Sequence, residues 1–540
     1  MKPWHKNYKD NVAHEIDTSQ YHSMIDVFHK TVETFEDKTA FISFESELSF
    51  NELDRKSRDF AAYLQSQLGI VKADRVAIMC PNILPFIVAM WGIVRTGAVQ
   101  VNVNPLYTPR ELKHQLNDAD VDTIIIFSAS TPVLAEIIDE TPIKNIIVVK
   151  LDDFVNKGLP DSGIDDRLND TSLFMEAISQ GQSLNFEEPK IERTDLMFLQ
   201  YTGGTTGLSK GAMLTHDNII ANVLQVFEFN NATITLGEEL VVTAIPLYHI
   251  FALVVNSMCF FTIGARNVLI ANPRDMPAFV NTWSKYQVSI FTGVNTLFNG
   301  LLHTEGFEKL DFSRLHFSLG GGAPVQIAVS DKWQKITGKR ITEGYGLSET
   351  SPVLTTNDEK DGVYIPGIGV PLPSTDITIR DENDNVLNDG ETGELCAKGP
   401  QVMPGYWNNP EATAESMTAD GYFKTGDIAF LDELGFFHIV DRKKDMILVS
   451  GFNVYPNEIE AQISQMPGIL EAACIGVEDE TTGEATKLFL VKTDPAITKD
   501  EVTEFCRKGL AAYKVPKQIV FLDELPKSSV GKILRRELRD

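Results

Sequence analysis

An α/β protein with a small C-terminal domain of its own is what this 540-residue sequence predicts, and three observations predict it. Between residues 20 and 200, short β-branched runs alternate with stretches of helical spacing. From about 370 the texture turns to short strands separated by Asp, Asn and Gly turns. At Asp441-Arg-Lys-Lys-Asp445 a dense cluster of charge interrupts an apolar region, and the chain beyond it carries an α+β pattern of its own. Strands separated by helices read as parallel sheets with both faces covered.

The elements follow in order. Apolar residues at helical spacing predict a helix over 53–68, followed by a strand at 75–79. A helix over 83–94 and a strand at 98–103 come next, then a helix beginning at 112–116 and a strand at 123–127. The pattern resumes with strands at 241–243 and 288–292. The later region adds strands at 377–380, 393–397 and 436–440. Past the charge cluster, a helix is expected around 456–466 and strands at 472–476 and 487–491. The boundary and hinge fall near 441–444.

Between these elements lies the stretch Tyr201-Thr-Gly-Gly-Thr-Thr-Gly-Leu-Ser-Lys210. It is flanked by 196–199 and 219–220 and reads as strand, flexible loop, then helix. Glycines let a backbone approach a ligand, and their amides, with nearby hydroxyls, cradle phosphate oxygens. A Walker A loop is excluded: with its lysine at Lys210 it requires Gly at 209 and Ser or Thr at 211, and the chain has Ser209 and Gly211.

Composition narrows the class. The chain is too long for one core. A net charge of −27 argues against a nucleic-acid partner, which needs basic surface. Cys80, Cys259, Cys396, Cys474 and Cys506 are scattered without a C-x-x-C pair, pointing to a reducing, cytoplasmic setting. The N-terminus lacks the apolar core of a signal peptide. The apolar run 251–263 contains Asn256 and Ser257 and falls short of the ~20 residues of a membrane span, so it is expected to be core.

Further strings follow the glycine loop: Gly320-Gly-Gly-Ala-Pro324, Gly344-Tyr-Gly-Leu-Ser-Glu-Thr350, Tyr422-Phe-Lys-Thr-Gly-Asp427, Asp441-Arg442 and Pro526-Lys-Ser-Ser-Val-Gly-Lys532. Together and in this order they resemble the adenylate-forming superfamily of acyl-CoA synthetases, luciferases and peptide-synthetase adenylation domains. The resemblance implies a large N-terminal domain (1–441) of two α/β subdomains plus a small β-rich subdomain (about 370–441). A small mobile α+β C-terminal lid (442–540) follows, turning about Lys444.

It also implies roles. Tyr201, Thr202, Gly203, Gly204, Thr206, Gly207 and Lys210 belong to the phosphate loop, with Thr205 among the catalytic residues. Gly320, Gly321, Gly322 and Ala323 line adenine and the acyl pocket. Tyr345, between Gly344 and Gly346, packs on adenine. Ser348 stands where many relatives have threonine and keeps the hydroxyl expected at the α-phosphate. Glu349 is the expected Mg²⁺ ligand, since a hard cation prefers oxygen. Asp427 and Arg442 are expected at the ribose.

Lys532 is the expected catalyst of adenylation. A carboxylate attacking the α-phosphorus of ATP builds negative charge, which a mobile ammonium stabilises, and it needs no general base because it is already ionised. Rotation of the lid then presents Gly451 and its neighbours to a thiol.

The string 421–447 resembles fatty acyl-CoA synthetases, and 246–253 with 292–299 the bacterial long-chain enzymes. This makes His249 and Gly293 substrate-side candidates, although His249 suits a core position about as well. The expected activity is ATP-dependent conversion of a fatty acid to acyl-adenylate with pyrophosphate release, then thioester formation with CoA. A carrier-protein thiol, or a medium-chain or aromatic acid, is the alternative. The sequence ends without a carrier domain after the lysine segment, which weighs against a peptide synthetase. A non-catalytic lipid-binding module is disfavoured, because Glu349, Asp427, Arg442 and Lys532 are all present. Peripheral contact with the inner face of the membrane and a homodimer stay open.

Overall fold

The computed structural model describes residues 2–202, 209–357, 364–479 and 481–539. Four sheets organise them. A seven-stranded sheet runs Thr171–Leu173, Asn145–Val149, Thr123–Phe127, Arg75–Met79, Val99–Asn102, Leu196–Thr202, Lys210–Thr215. All neighbours are parallel except the last pair. A nine-stranded sheet is parallel through its centre and antiparallel at both ends. Its central strands Leu240–Thr243, Ile290–Gly293, Phe317–Gly320 and Thr342–Gly346 lie side by side.

The expected helices and strands are present, with bounds shifted by a few residues. The predicted helix over 83–94 is Leu84–Arg95, and every one of its residues is buried. That is why its sequence is apolar all round rather than striped. The run 251–263 is core: Phe251–Cys259 forms a fully buried π-helix. Phe261 beside it stacks on Phe28 and packs against Trp91, joining the two large sheets through one core.

Two expectations are corrected. The large sheets are mixed rather than parallel throughout, because short hairpins close their edges. The order strand, loop, helix around the glycine-rich stretch is also wrong. Leu196–Thr202 is followed by a second strand, Lys210–Thr215, in antiparallel register with it, before the helix His216–Asn230 begins. Thr215 caps that helix through a reciprocal pair with Asn218.

The β-rich stretch is a four-stranded antiparallel sheet of Asp376–Arg380, Gly393–Lys398, Phe423–Leu431 and Phe437–Arg442. After it, Phe452–Val454, Ile447–Val449, Gly483–Lys492 and Ile469–Asp479 form a sheet that Gln518–Phe521 extends. Residues Ile447, Val449, Ile459, Leu488, Leu490 and Cys506 make a core separate from those of the large sheets.

Candidate active site

In open α/β sheets, ligands bind beyond the carboxyl ends of parallel strands. Three such ends converge here. Gly293 and Gly320 are directly paired, and Gly320 is paired with Glu343, one residue before the Gly344-Tyr345-Gly346 string. The glycines are there because of close approach. A Cβ on Gly320 would stand 2.5 Å from Val325, and one on Gly346 would stand 1.9 Å from the Pro352 carbonyl oxygen. Gly293 faces the Phe298 ring in the same way, at 2.9 Å. A Cβ on Gly321 would stand 3.0 Å from the Phe251 ring, and Gly322 takes a left-handed φ of +76° that favours glycine. Ala323 continues this turn half-buried.

Tyr345 leaves the end of its strand to donate a hydrogen bond to Asp427 Oδ2 at 2.6 Å. Asp427 lies opposite Arg442 in the antiparallel ladder, with Arg442 Nε 3.6 Å from Asp427 Oδ1. Strand register thus brings the two predicted ribose contacts together and adds the tyrosine. The Asp427 N–H donates to Thr425 Oγ at 3.1 Å, which fixes the turn. Burial, and then the Asp427 charge, hold the Tyr345 phenol far above its ordinary pKa.

Glu349 is 8% exposed and receives a hydrogen bond at 2.8 Å from the Tyr406 hydroxyl. Burial pushes its carboxyl pKa up, and the tyrosine opposes that. A sequestered carboxylate beside the strands Leu196–Thr202 and Lys210–Thr215 fits one ligand of Mg²⁺. Tyr406 was not singled out by the sequence reading. It arrives because Ala212 bridges to Tyr406, Met213 N–H donates to Gly405 O, and Trp407 N–H donates to Gly211 O. The unforeseen second strand of the hairpin is therefore what carries Tyr406 to Glu349. Lys210 Nζ sits 5.3 Å above the Tyr406 ring, so it joins the same corner. Ser348 stands half-buried beside Glu349.

Tyr201 points elsewhere: its hydroxyl donates to Asp118 Oδ2 at 2.5 Å, which anchors the strand leading into the loop. Thr202 ends that strand. The predicted Gly203, Gly204, Thr205, Thr206 and Gly207 lie outside the described residues.

Lys532, from the far end of the chain, reaches this site. Its pKa is pushed down to about 7, by burial first, then by the charges of Arg442, Lys444 and Arg535, with Asp427 opposing. His249 is driven down to about 4 by burial and then by Lys532 itself, so it is neutral at physiological pH. Its Nδ1 accepts the Phe251 N–H at 3.3 Å, which gives the ring a local structural partner as well as a place beside Lys532. Lys444, half-buried, has its pKa lowered to about 8 by burial and then by Arg442. Gly451, at φ +83°, is exposed on the turn between Ile447–Val449 and Phe452–Val454.

Glycines at three strand ends, the Tyr345–Asp427–Arg442 group and the buried Glu349, with Lys532 from the C-terminal part, are arranged as in a nucleotide-binding α/β enzyme. Models of the AMP-binding enzyme and of its C-terminal domain match residues 28–407 and 458–532, and the chain belongs to this AMP-binding enzyme family. It is 49% identical to a long-chain-fatty-acid–CoA ligase of Escherichia coli O6:H1 over 100% of this chain and 98% of that one. It is 36% identical to the Bacillus subtilis long-chain-fatty-acid–CoA ligase, over 100% and 98%. The crystal structure of ATP-bound MatB from Rhodopseudomonas palustris superposes with a TM-score of 0.82 at 28% identity, covering 95% of this chain and 98% of the other.

Proposed function

We propose that the protein is an AMP-forming fatty-acid–CoA ligase acting on long chains. Its substrates are a fatty acid, ATP and CoA, and Mg²⁺ is its metal. One observation carries the reading: Lys532 of the C-terminal part lies among Arg442, Asp427 and Lys444, while whole-length relatives at 49% identity are long-chain-fatty-acid–CoA ligases.

In the first half-reaction an oxygen of the fatty-acid carboxylate attacks the α-phosphorus of ATP. The bond from that phosphorus to the bridging oxygen breaks, and pyrophosphate leaves with the electron pair. Asp427, oriented by Tyr345, accepts hydrogen bonds from the ribose hydroxyls, and Arg442 neutralises charge beside it. Lys532, protonated when it faces polyphosphate, positions the carboxylate and stabilises the charge built on the phosphoryl oxygens. Glu349 would hold Mg²⁺, which would supply neutralisation of the negative charge on the departing pyrophosphate. In the second half-reaction the CoA sulfur forms a bond to the acyl carbon, the acyl–phosphate bond breaks, AMP leaves, and the thiol proton passes to water.

We take 1–441 as the body, with its β-rich part at about 370–441, and 442–540 as a lid that turns about Lys444 between the two half-reactions. Gly451, exposed on its turn, belongs to the face turned inward for the second. Apolar residues of 246–253 and 292–299 are the proposed surroundings of the acyl chain, whose burial contributes ~0.8 kcal/mol per methylene.

The test is ATP–pyrophosphate exchange against acids of increasing length, followed by CoA. Exchange should rise with chain length and acyl-CoA should form; no exchange with any fatty acid would overturn the reading. Exchange without CoA consumption would assign a carrier-protein thiol instead. We infer a cytoplasmic enzyme; among the described residues no helix is long and apolar enough to cross a membrane. Contact with the inner membrane face and homodimerisation are decided by vesicle sedimentation and by the mass in solution.

A further inference from the structure

The tip of the lid that carries Lys532 is a small closed loop. Ser528 N–H donates to the Lys532 carbonyl at 2.7 Å, Gly531 N–H donates to the Ser528 carbonyl at 2.9 Å, and Lys532 N–H donates to Ser528 Oγ at 3.1 Å. Lys527 and Ile533 form a bridge at its base. These bonds make the tip a rigid unit, so its seating on the body fixes where the Lys532 backbone lies.

Two body side chains seat it. Asn104 Nδ2 donates to Ser529 Oγ at 3.0 Å. Asn104 is itself pre-set, because its Oδ1 accepts the Leu106 N–H at 2.9 Å and leaves only the amide to face the lid. On the other side, Thr296 Oγ donates to the Gly531 carbonyl at 2.7 Å. Asn104 follows the strand Val99–Asn102 of one large sheet, and Thr296 opens the helix Asn295–Leu302 that follows Ile290–Gly293 of the other. The tip therefore touches both halves of the body at once. The fit is steric as well as polar. Gly531 has φ +83°, and a Cβ there would stand 2.7 Å from Thr296 Oγ and 3.3 Å from Val294.

We propose that Asn104 and Thr296 form a socket on the body that selects the lid orientation delivering Lys532, which makes them positioning residues for acyl-adenylate formation alone. Neither reaches the reacting atoms. They grip a serine hydroxyl and a backbone carbonyl of the lid, and both contacts must break when the lid turns. The inference rests on the two-orientation lid described above, and its effect is confined to one half-reaction.

The experiment uses the full-length enzyme and measures both half-reactions separately: ATP–pyrophosphate exchange, and thioester formation from supplied acyl-adenylate and CoA. Thr296→Val keeps the shape and removes the donor. With Asn104→Ala it should lower exchange about five- to tenfold per lost bond, while thioester formation stays within about twofold. Thr296→Ser, which keeps the hydroxyl, should restore exchange. Gly531→Ala should lower exchange more than either, since its methyl meets Thr296. Asn104→Ala and Ser529→Ala should be non-additive, since each removes the same bond. Thioester formation in the same samples reports whether each variant is folded. Equal loss of both half-reactions, or no loss of exchange in any variant, overturns the socket. Lys532→Ala, run alongside, separates the two levels. If it shows the split and the socket variants do not, only the socket fails; if it loses both half-reactions, the two-orientation lid fails.

Discussion

Glu349, the proposed Mg²⁺ ligand, shows how a single contact from Tyr406 bears on a carboxylate. Burial pushes the carboxyl pKa up, and the tyrosine hydrogen bond opposes that rise. Glu349→Gln removes the charge and should lower pyrophosphate exchange by ~10²–10³-fold, the range for deleting one group that stabilises transition-state charge. Tyr406→Phe leaves the carboxylate with a lost partner, which typically costs ~1–3 kcal/mol. Its folded pKa should climb further, so half-saturation by Mg²⁺ should move to higher concentration, and more so as the pH is lowered. A titration of exchange activity with Mg²⁺ at two pH values checks this. An unchanged Mg²⁺ requirement would remove Tyr406 from the site.

At the scale of elements, the hairpin Leu196–Thr202 with Lys210–Thr215 and the pair Thr342–Gly346 with Val353–Thr356 hold the site. Gly346→Ala would force its methyl into the Pro352 carbonyl, at 1.9 Å in the present geometry. The strand pair carrying Tyr345 and leading to Glu349 must then shift, and exchange activity should fall together with a lowered Tm. Thr215→Ala removes the cap of helix His216–Asn230 and should cost ~1 kcal/mol of stability by denaturant unfolding, with no change in substrate preference.

The limits of sequence reading are visible here. Asp427 and Arg442 were legible from their strings, and strand register explains their meeting. The second hairpin strand was not legible, because Lys-Gly-Ala-Met-Leu-Thr lacks the alternation that marks a half-buried strand. Without that strand, Tyr406 had no visible route to Glu349. Asn104 and Thr296 are single polar residues whose partners lie in the last fifteen residues of the chain, and no local pattern marks such long-range pairs.

For the whole molecule, the two-part architecture was legible in the charge cluster and the change of texture, while the state of the lid was not. In the present arrangement the proposed lid is also held at Asp441, the last residue of the body: Arg535 reaches it at 3.1 Å and Asn457 N–H donates to it at 2.8 Å. Arg535 pairs as well with Glu460 at 2.8 Å and Asp445 at 3.4 Å, both within the proposed lid itself.

In the present arrangement burial lowers the Lys532 pKa to about 7, and Lys444 shifts in the same direction. An undocked, solvated lysine titrates near 10.4, so between these values the docked state binds fewer protons. Docking of the free enzyme should therefore strengthen as pH rises from 7 towards 10 and weaken as it falls to 7, with no further change from this group below. ATP, by pairing the ammonium with phosphate, should flatten that dependence. The distance between labels on body and lid, read across pH with and without ATP, tests the sign; tighter docking at pH 7 than at pH 9 in the free enzyme would contradict it.

In the proposed cycle Lys532 of the lid serves one half-reaction and leaves for the other. The most direct measurement is the pair of half-reaction rates of Lys532→Ala. Acyl-adenylate formation should fall by ~10²–10³-fold, while thioester formation from supplied acyl-adenylate and CoA stays near that of the unaltered enzyme. Equal loss of both rates would contradict the account.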